Sequence, residues 1–214
     1  MPELPAMDAL WRLALPEQDG GMTAVSIWTV ALATCAGPPG VLPAHEQARA
    51  AAYLNREARD RFCAGRVLLR RVLGERLGLA PTAVPLVIAP GGKPALSPPH
   101  TGVHFSLAHA GALVVVAVAD GEPVGVDVER VRPMREADAM ARLAFSAEER
   151  EALLRLPEAE RQQGFFAAWV RQEATFKLGR PAVTLFEWSP RPDHRAALAA
   201  AAPASVRHMP DPSV

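Results

Sequence analysis

Short segments of alternating or continuous apolar residues predict most of the β-strands. The segment TAVSIWTVALAT alternates loosely, is rich in β-branched residues and ends at the breaker AGPPGVLP. VPLVIAP, VHFSLA and the apolar run ALVVVAVA follow further along the chain. These four predicted strands span residues 23–34, 84–90, 103–108 and 112–119. Between the last two, His109–Ala110–Gly111 is typical of a turn. Asp120–Gly121 predicts a hairpin that leads into the next strand.

A helical period of about 3.6 residues marks two other regions. From about 44 to 79, apolar residues recur at this spacing among arginines, which predicts two helices that meet near Leu54–Asn55 or at Gly65. A longer helix is predicted over roughly 158–178. Helices combined with separate runs of strands favour the α+β class.

Two local signals concern the second half of the chain. Ser146 and Glu149 have the spacing of a capping box, which predicts that a helix starts there and covers EEREALLRL. The terminal segment PASVRHMPDPSV is short, polar and interrupted by proline, and we expect it to be poorly ordered.

Composition narrows the class of protein. The chain has 214 residues, half of them hydrophobic, and its 23 basic and 23 acidic residues give zero net charge. This balance gives no general field that would recruit nucleic acid or an anionic membrane. Cys35 and Cys63 lack metal-site spacing, and no segment resembles a secretion signal or could span a bilayer, so a cytoplasmic location is expected. Only Lys93 and Lys177 are lysines, which hints that a compact ammonium is needed at both places.

The stretch PVGVDVERV carries two carboxylates in an otherwise apolar strand. Asp127 and Glu129 share one face of an extended chain, whereas Val126 and Val128 point to the opposite, core-facing side. Adjacent carboxylates repel each other unless a cation lies between them or both are well solvated. A polar outer strand face and a cation site are both open interpretations of this stretch.

The predicted helix at 158–178 offers a third carboxylate. Its apolar stripe, which we expect to be buried, consists of Phe165, Trp169 and Phe176. Glu173 and Lys177 lie beside that stripe, one turn apart, and an ordinary surface pair is the simplest interpretation. However, a carboxylate at the margin of a buried face is well placed to meet Asp127 and Glu129. Three carboxylates together would suit Mg²⁺, which prefers oxygen ligands.

Five motifs occur in the order and approximate spacing found in the phosphopantetheinyl transferases. They are GKP (92–94), HFSLAHAG (104–111), VGVDVERV (124–131), FSAEE (145–149) and WVRQEATFK (169–177). The chain resembles the larger, surfactin-synthetase-activating branch of that family over roughly residues 45–200. The resemblance implies two similar α+β halves in a pseudo-twofold arrangement, at 1–121 and 122–214, with coenzyme A in the cleft between them.

The implied reaction is a Mg²⁺-dependent transfer of 4′-phosphopantetheine from coenzyme A. The acceptor is a serine of an acyl or peptidyl carrier protein, and adenosine 3′,5′-bisphosphate is released. Carried over position by position, the resemblance gives Asp127, Glu129 and Glu173 as the metal ligands. Glu173 is also implied as the base that deprotonates the carrier serine, directly or through a water.

Four residues are implied to contact coenzyme A. Lys177 would neutralise the pyrophosphate and assist the leaving group, and His109 would face the phosphates. Arg61 occupies the position of an arginine that holds the 3′-phosphate, and Lys93 lies in the loop that receives the adenine. Phosphoryl transfer requires such neutralisation of charge on the bridging and non-bridging oxygens.

The resemblance also implies a partner, the carrier protein. Carrier proteins of such systems present acidic helices, so we expect Arg130, Arg132 and Arg135 to help dock one. The branch often acts as a monomer, which is the default expectation here.

Two departures from the family pattern leave an alternative open. Gln172 replaces the usual lysine before the helix glutamate, and the segment between Trp188 and His194 is short. A non-catalytic relative that binds coenzyme A or a carrier protein is therefore the alternative. A metal-dependent nuclease or phosphohydrolase is disfavoured by the zero net charge and the small number of aromatic residues.

Overall fold

The structure of the chain, a computed structural model, describes residues 22–35, 40–89, 92–134 and 136–212. Its strands are Thr23–Ala31 (β1), Leu86–Ile88 (β2), Pro94–Leu96 (β3), Val103–Ala110 (β4), Leu113–Asp120 (β5), Val124–Arg130 (β6), Thr184–Trp188 (β7), His194–Ala200 (β8) and Ala204–Met209 (β9). Its helices are Ala44–Ala51 (α1), Arg56–Leu77 (α2), Ala137–Ala144 (α3), Ala147–Arg155 (α4) and Glu158–Leu178 (α5). The expected α+β class is confirmed.

The same topology occurs twice along the chain. In the first half, β1 pairs with β5, which pairs with β4, and both contacts are antiparallel. In the second half, β6 pairs with β8, which pairs with β7, again antiparallel. A long helix, α2 or α5, follows the first strand of each unit. This repetition is the arrangement of two similar halves that the resemblance implied.

The core consists of three packing interfaces. The two sheets face each other through apolar side chains, including Val25, Ile27 and Val115 of the first sheet and Val126, Val128 and Leu198 of the second. On the outer face of the first sheet, α2 packs with Leu68, Leu69 and Leu73. On the outer face of the second sheet, α5 packs with Val170, Ala174 and Leu178. Asp127 is on the face of β6 that meets α5.

Several local predictions are confirmed. The first helical region breaks at Leu54–Asn55, where the Asn55 side chain accepts a hydrogen bond from the Ala58 N–H at 3.0 Å and caps α2. Both hydrogen bonds of the capping box between Ser146 and Glu149 are present. The long helix α5 has the expected bounds. Gly65 lies inside α2, where a Cβ would be 3.2 Å from Leu107 Cδ2, so it serves close packing.

Other predictions are wrong, and except for the turn predicted at His109 the reason is a partner distant in sequence. His109 is the penultimate residue of β4, and the hairpin turn lies at Gly111, whose φ of 53° favours glycine. Asp120–Gly121 connects β5 to β6, which belong to different sheets, so it forms no hairpin. Residues Ala204–Met209 of the terminal segment form β9, which pairs in parallel with β1 and completes the first sheet. Phe176 is 82% exposed instead of buried.

Some of the residues for which expectations were stated, namely 1–21 and Arg135, lie outside the described residues. Within the described part of the chain, no helix has the length and apolar character needed to cross a membrane.

Candidate active site

The site begins where α5 presses against β6 at a glycine. A Cβ on Gly125 would overlap the carbonyl oxygen of Ala174 and would lie 2.6 Å from the Leu178 nitrogen. Only glycine therefore allows the backbones of strand and helix to approach this closely. The close contact brings the side chains on the facing surfaces of β6 and α5 within reach of each other.

Asp127 is the buried carboxylate of this contact, with 6% of the residue exposed. The ammonium of Lys177 donates to Asp127 Oδ1 at 2.7 Å and to the carbonyl of Val126 at 3.2 Å. The pKa of Asp127 is raised to about 6, chiefly by burial and also by the nearby carboxylates of Glu129 and Glu173, whereas Lys177 acts to lower it. Glu129 and Glu173 therefore lie near enough to Asp127 to affect its pKa.

The second oxygen of Asp127 is the clearest sign of a cation site. Oδ2 is buried and has no hydrogen-bond partner among the described residues. An unpaired carboxylate oxygen in a buried place is costly, and a cation would satisfy it. Carboxylate oxygens are also the ligands that Mg²⁺ prefers. The donor chemistry at Asp127, Glu129 and Glu173 thus fits Mg²⁺.

The three carboxylates do not form a preassembled metal cage. Among the described residues, no three His, Cys, Asp or Glu side chains are grouped closely enough to hold a metal ion. Glu129 Oε2 is instead 3.4 Å from Nη1 of Arg132. Glu173 lies one helical turn before Lys177, on the partly buried side of α5.

A cleft of about 880 Å³ adjoins this group and is lined by both halves of the molecule. It contains the four residues that the resemblance assigned to coenzyme A, namely Arg61, Lys93, His109 and Lys177. They come from α2, the β2–β3 loop, β4 and α5 respectively. Lys177 joins the cleft to Asp127, because its side chain lines the cleft and its ammonium contacts the carboxylate.

Three of these residues differ in how free their side chains are to bind a ligand. His109 is exposed at the end of β4. Arg61 is paired with Glu57 one turn earlier on α2, at 2.5 Å. Lys93 directs its ammonium to the backbone carbonyls of Lys177, at 2.9 Å, and Val124, at 3.4 Å. Burial lowers the pKa of Lys93, and the nearby cation of Lys177 lowers it further.

Sequence reasoning missed a group of cationic and aromatic residues that also lines the cleft. Arg49 and Arg66 both line it, and their guanidinium carbons lie 5.3 and 5.6 Å from the centre of the Phe62 ring. Tyr53 packs against the same ring at 5.4 Å. A buried network holds this group, since Glu46 of α1 accepts from Nε of Arg70 at 2.6 Å and lies 3.6 Å from Arg66.

A sequence signal for this group exists but is ambiguous. Arg49 and Arg66 are two of the eight arginines in the predicted helical region 44–79. Nothing in the helical period distinguishes Arg66 from the other arginines of α2, because its role depends on the packing of α1. Phe176, placed by its period in the core, instead lines the cleft.

Gln172 does not line the cleft among the described residues. Its side-chain amide donates to Glu149 Oε2 at 3.1 Å and so connects α5 to the capping box of α4. At this position the chain uses a neutral side chain for a contact between helices.

The arginine-bearing segment that begins at the last residue of β6 makes contacts within the chain. Arg130 Nε donates to Asp193 Oδ2 at 3.0 Å. Arg132, besides approaching Glu129, lies over the Phe166 ring at 5.6 Å. Both guanidinium groups remain largely exposed, with 60% and 56% of their side-chain surface accessible.

Comparison with known proteins gives matches along most of the chain. A family model described as 4′-phosphopantetheinyl transferase, N-terminal, matches residues 28–121, and the model of the 4′-phosphopantetheinyl transferase superfamily matches residues 123–208. 4′-Phosphopantetheinyl transferase HetI of a Nostoc species is 32% identical over 170 residues, which are 78% of this chain and 66% of the relative. The psf-1 transferase of Bacillus pumilus is 39% identical over 115 residues, 53% of this chain and 47% of that protein.

A third relative, 4′-phosphopantetheinyl transferase Sfp of Bacillus subtilis, is 28% identical over 125 residues, covering 58% of this chain and 54% of the relative. The chain therefore spans between about half and two thirds of the length of these curated relatives. Two successive models, one for each half, agree with the larger, two-half branch.

Proposed function

Because the chain belongs to the 4′-phosphopantetheinyl transferase superfamily, we propose that it transfers 4′-phosphopantetheine from coenzyme A to a carrier protein. The acceptor is a serine of an acyl or peptidyl carrier protein, and the second product is adenosine 3′,5′-bisphosphate. One observation carries the proposal. A single cleft is lined by Arg61, Lys93, His109 and Lys177, and Lys177 links it to the buried carboxylate of Asp127.

The charge along the cleft suits the shape of coenzyme A. That molecule carries phosphate at two places, the pyrophosphate and the ribose 3′-phosphate, which are separated by the ribose. The cleft lining includes two groups that suit phosphate: the first is Lys177 with His109, and the second consists of three arginines. Those arginines are Arg49, Arg61 and Arg66. We assign the first group to the pyrophosphate and the second to the 3′-phosphate, since guanidinium groups form bidentate contacts with phosphate.

The chemical step is an in-line displacement at phosphorus. The serine Oγ forms a bond to the phosphorus that bears pantetheine, and the bond from this phosphorus to the bridging oxygen breaks. Adenosine 3′,5′-bisphosphate leaves with that oxygen. We propose that Glu173, which is partly buried on α5, accepts the serine proton. Lys177, within reach of the same place, offsets the negative charge that develops on the leaving phosphate.

Asp127, Glu129 and Glu173 are the residues proposed to hold Mg²⁺. When bound, the ion would neutralise charge on the phosphate oxygens. The unpartnered Oδ2 of Asp127 supports this assignment. Glu129 Oε2 is 3.4 Å from Nη1 of Arg132, so the two would compete for this carboxylate if the ion took the same oxygen. We also propose a cytoplasmic location, because coenzyme A and the acceptor carrier proteins are cytoplasmic, and action as a monomer, as the resemblance implies.

The experiment is incubation with coenzyme A, Mg²⁺ and a panel of apo-carrier proteins from fatty-acid, polyketide and nonribosomal peptide systems, followed by intact mass measurement. We expect at least one carrier to gain one phosphopantetheine. Measurable coenzyme A binding without any gain on the panel would contradict catalysis and support the non-catalytic alternative.

A further inference from the structure

Lys93 makes contacts that differ from those of a phosphate-binding lysine. It belongs to the first half of the chain, in the loop between β2 and β3, but both of its hydrogen-bond acceptors belong to the second half. The nearer acceptor is the carbonyl of Lys177 in the last turn of α5, and the second is the carbonyl of Val124 at the start of β6. The ammonium therefore joins three elements.

The nearer acceptor is a favourable partner for a cation. The last carbonyls of an α-helix lack partners within the helix and carry the negative end of its dipole. Gly179, with φ of 78°, ends α5 immediately after these residues. An ammonium at the Lys177 carbonyl both satisfies this acceptor and complements the dipole.

The two acceptors flank the closest contact in the site. Val124 precedes Gly125, which α5 approaches so tightly that a Cβ there would be 2.6 Å from the Leu178 nitrogen. Lys177 lies next to Leu178 on the helix side of that contact. By bonding to Val124 and Lys177 together, Lys93 holds the end of the helix at one position along the strand.

The position of the last turn of α5 determines where the ammonium of Lys177 lies. From its fixed backbone, the side chain reaches Asp127 Oδ1 at 2.7 Å and the Val126 carbonyl at 3.2 Å. A shift of the last turn of α5 would move this ammonium by a similar distance, and displacements of about 1 Å are large on the scale of catalytic geometry.

We infer that Lys93 is a positioning residue, whose ammonium ties the last turn of α5 to the start of β6 and thereby places Lys177 beside Asp127. The structural part of the inference stands alone, and its catalytic consequence rests on the proposed transfer reaction. The coenzyme would then meet the backbone of this loop, and its phosphates would be met by the other cations of the cleft.

The decisive test is amide hydrogen exchange of the ligand-free protein. Lys93→Met keeps the aliphatic stem and removes the charge, Lys93→Arg keeps a donor cation, and Arg49→Met removes a different cation of the same cleft. We expect about tenfold faster exchange at residues 176–179 in Lys93→Met, which corresponds to ~1.4 kcal/mol of local stability. Lys93→Arg should restore much of the protection, and Arg49→Met should leave these amides at the wild-type rate.

Unchanged exchange in Lys93→Met would overturn the inference, whatever happens to coenzyme A affinity. Steady-state kinetics then test the consequence at Lys177. We expect kcat to fall about tenfold while KM for coenzyme A stays within about twofold. Faster exchange with unchanged kcat would reduce Lys93 to a structural residue and overturn its positioning role. If the wild type transfers nothing, the exchange result still decides whether the tie exists, so failure of the proposed function is distinguishable.

Discussion

At the scale of single residues, the site depends on how one buried carboxylate is compensated. Asp127 loses its solvation in the contact between β6 and α5, and burial accordingly raises its pKa to about 6. Lys177 compensates one oxygen, whereas the other has no partner among the described residues. A buried carboxylate with one unpaired oxygen contributes little to stability but is well suited to bind a cation.

Glu173 is proposed to act both on the metal and on the serine proton. Glu173→Gln keeps the size of the side chain but removes its charge and basicity, so we expect initial transfer rates to fall at least about 100-fold. Glu160→Gln, an exposed substitution in the first turn of the same helix, is the matched control and should retain activity. Circular dichroism should show both variants folded. A Glu173→Gln enzyme with wild-type rates would remove both roles.

The arginine-bearing segment is proposed to dock the carrier. Arg130 and Arg132 expose guanidinium surface at the end of β6, the strand proposed to supply two metal ligands, although each also has a partner within the chain. Reversing the charges of Arg130, Arg132 and Arg135 should raise KM for the carrier about tenfold and leave the Kd for coenzyme A nearly unchanged, because complementary charge mainly speeds encounter. Arg155→Glu on α4 is the control. An unchanged KM for the carrier would contradict this docking surface.

At the scale of elements, local signals predict structure where the cause is local. The capping box at Ser146 and the bounds of α5 follow from hydrogen bonds and spacing within one helix. The burial expected for Phe176 is wrong because a helical period identifies a stripe but not the element that covers it. The alanine run of β8 carries no clear strand pattern, and its small side chains are explained by α5 packing directly on Ala197 and Ala199.

Gly125 makes the contact between β6 and α5 possible. Gly125→Ala would force the Cβ into the backbone of α5 at Ala174, and we expect the free energy of unfolding to fall by about 3 kcal/mol. Chemical denaturation monitored by circular dichroism measures this loss. Gly102→Ala is the matched control, because a Cβ at that position would have nothing within 4 Å and the φ of Gly102 is ordinary. Equal stability of the two variants would show that helix and strand do not touch as described.

At the scale of the whole molecule, the halves are interdependent. Strand β9 comes from the second half but completes the first sheet beside β1. The Val126 N–H of β6 also donates to the buried Ser106 hydroxyl of β4 at 3.0 Å. The resemblance implied two halves and a cleft between them. The placement of β9 in the first sheet was not predictable from the sequence alone, because a parallel pair between distant strands leaves no local signal.

The division at 121/122 stays a prediction, and separate expression tests it. The fragment 1–121 would leave one edge of β1 unpaired and would expose the apolar face that includes Val25, Ile27 and Val115. We expect it to aggregate or to lack a cooperative thermal transition, whereas co-expression with 122–214 should yield a complex of one copy of each fragment. Size-exclusion chromatography and thermal melts provide the readout. A monomeric, cooperatively melting 1–121 would show that the first half is independent.

We propose above all that a metal-dependent phosphopantetheine transfer takes place where Lys177, which lines the cleft, meets Asp127. The most direct test is the intact mass of an apo-carrier protein after incubation with coenzyme A and Mg²⁺, with and without a chelator, for the wild type and for Asp127→Ala. We expect the carrier to gain one phosphopantetheine with the wild type and Mg²⁺, and to gain none after chelation or with Asp127→Ala. Transfer that persists in Asp127→Ala, at the wild-type rate, would contradict it.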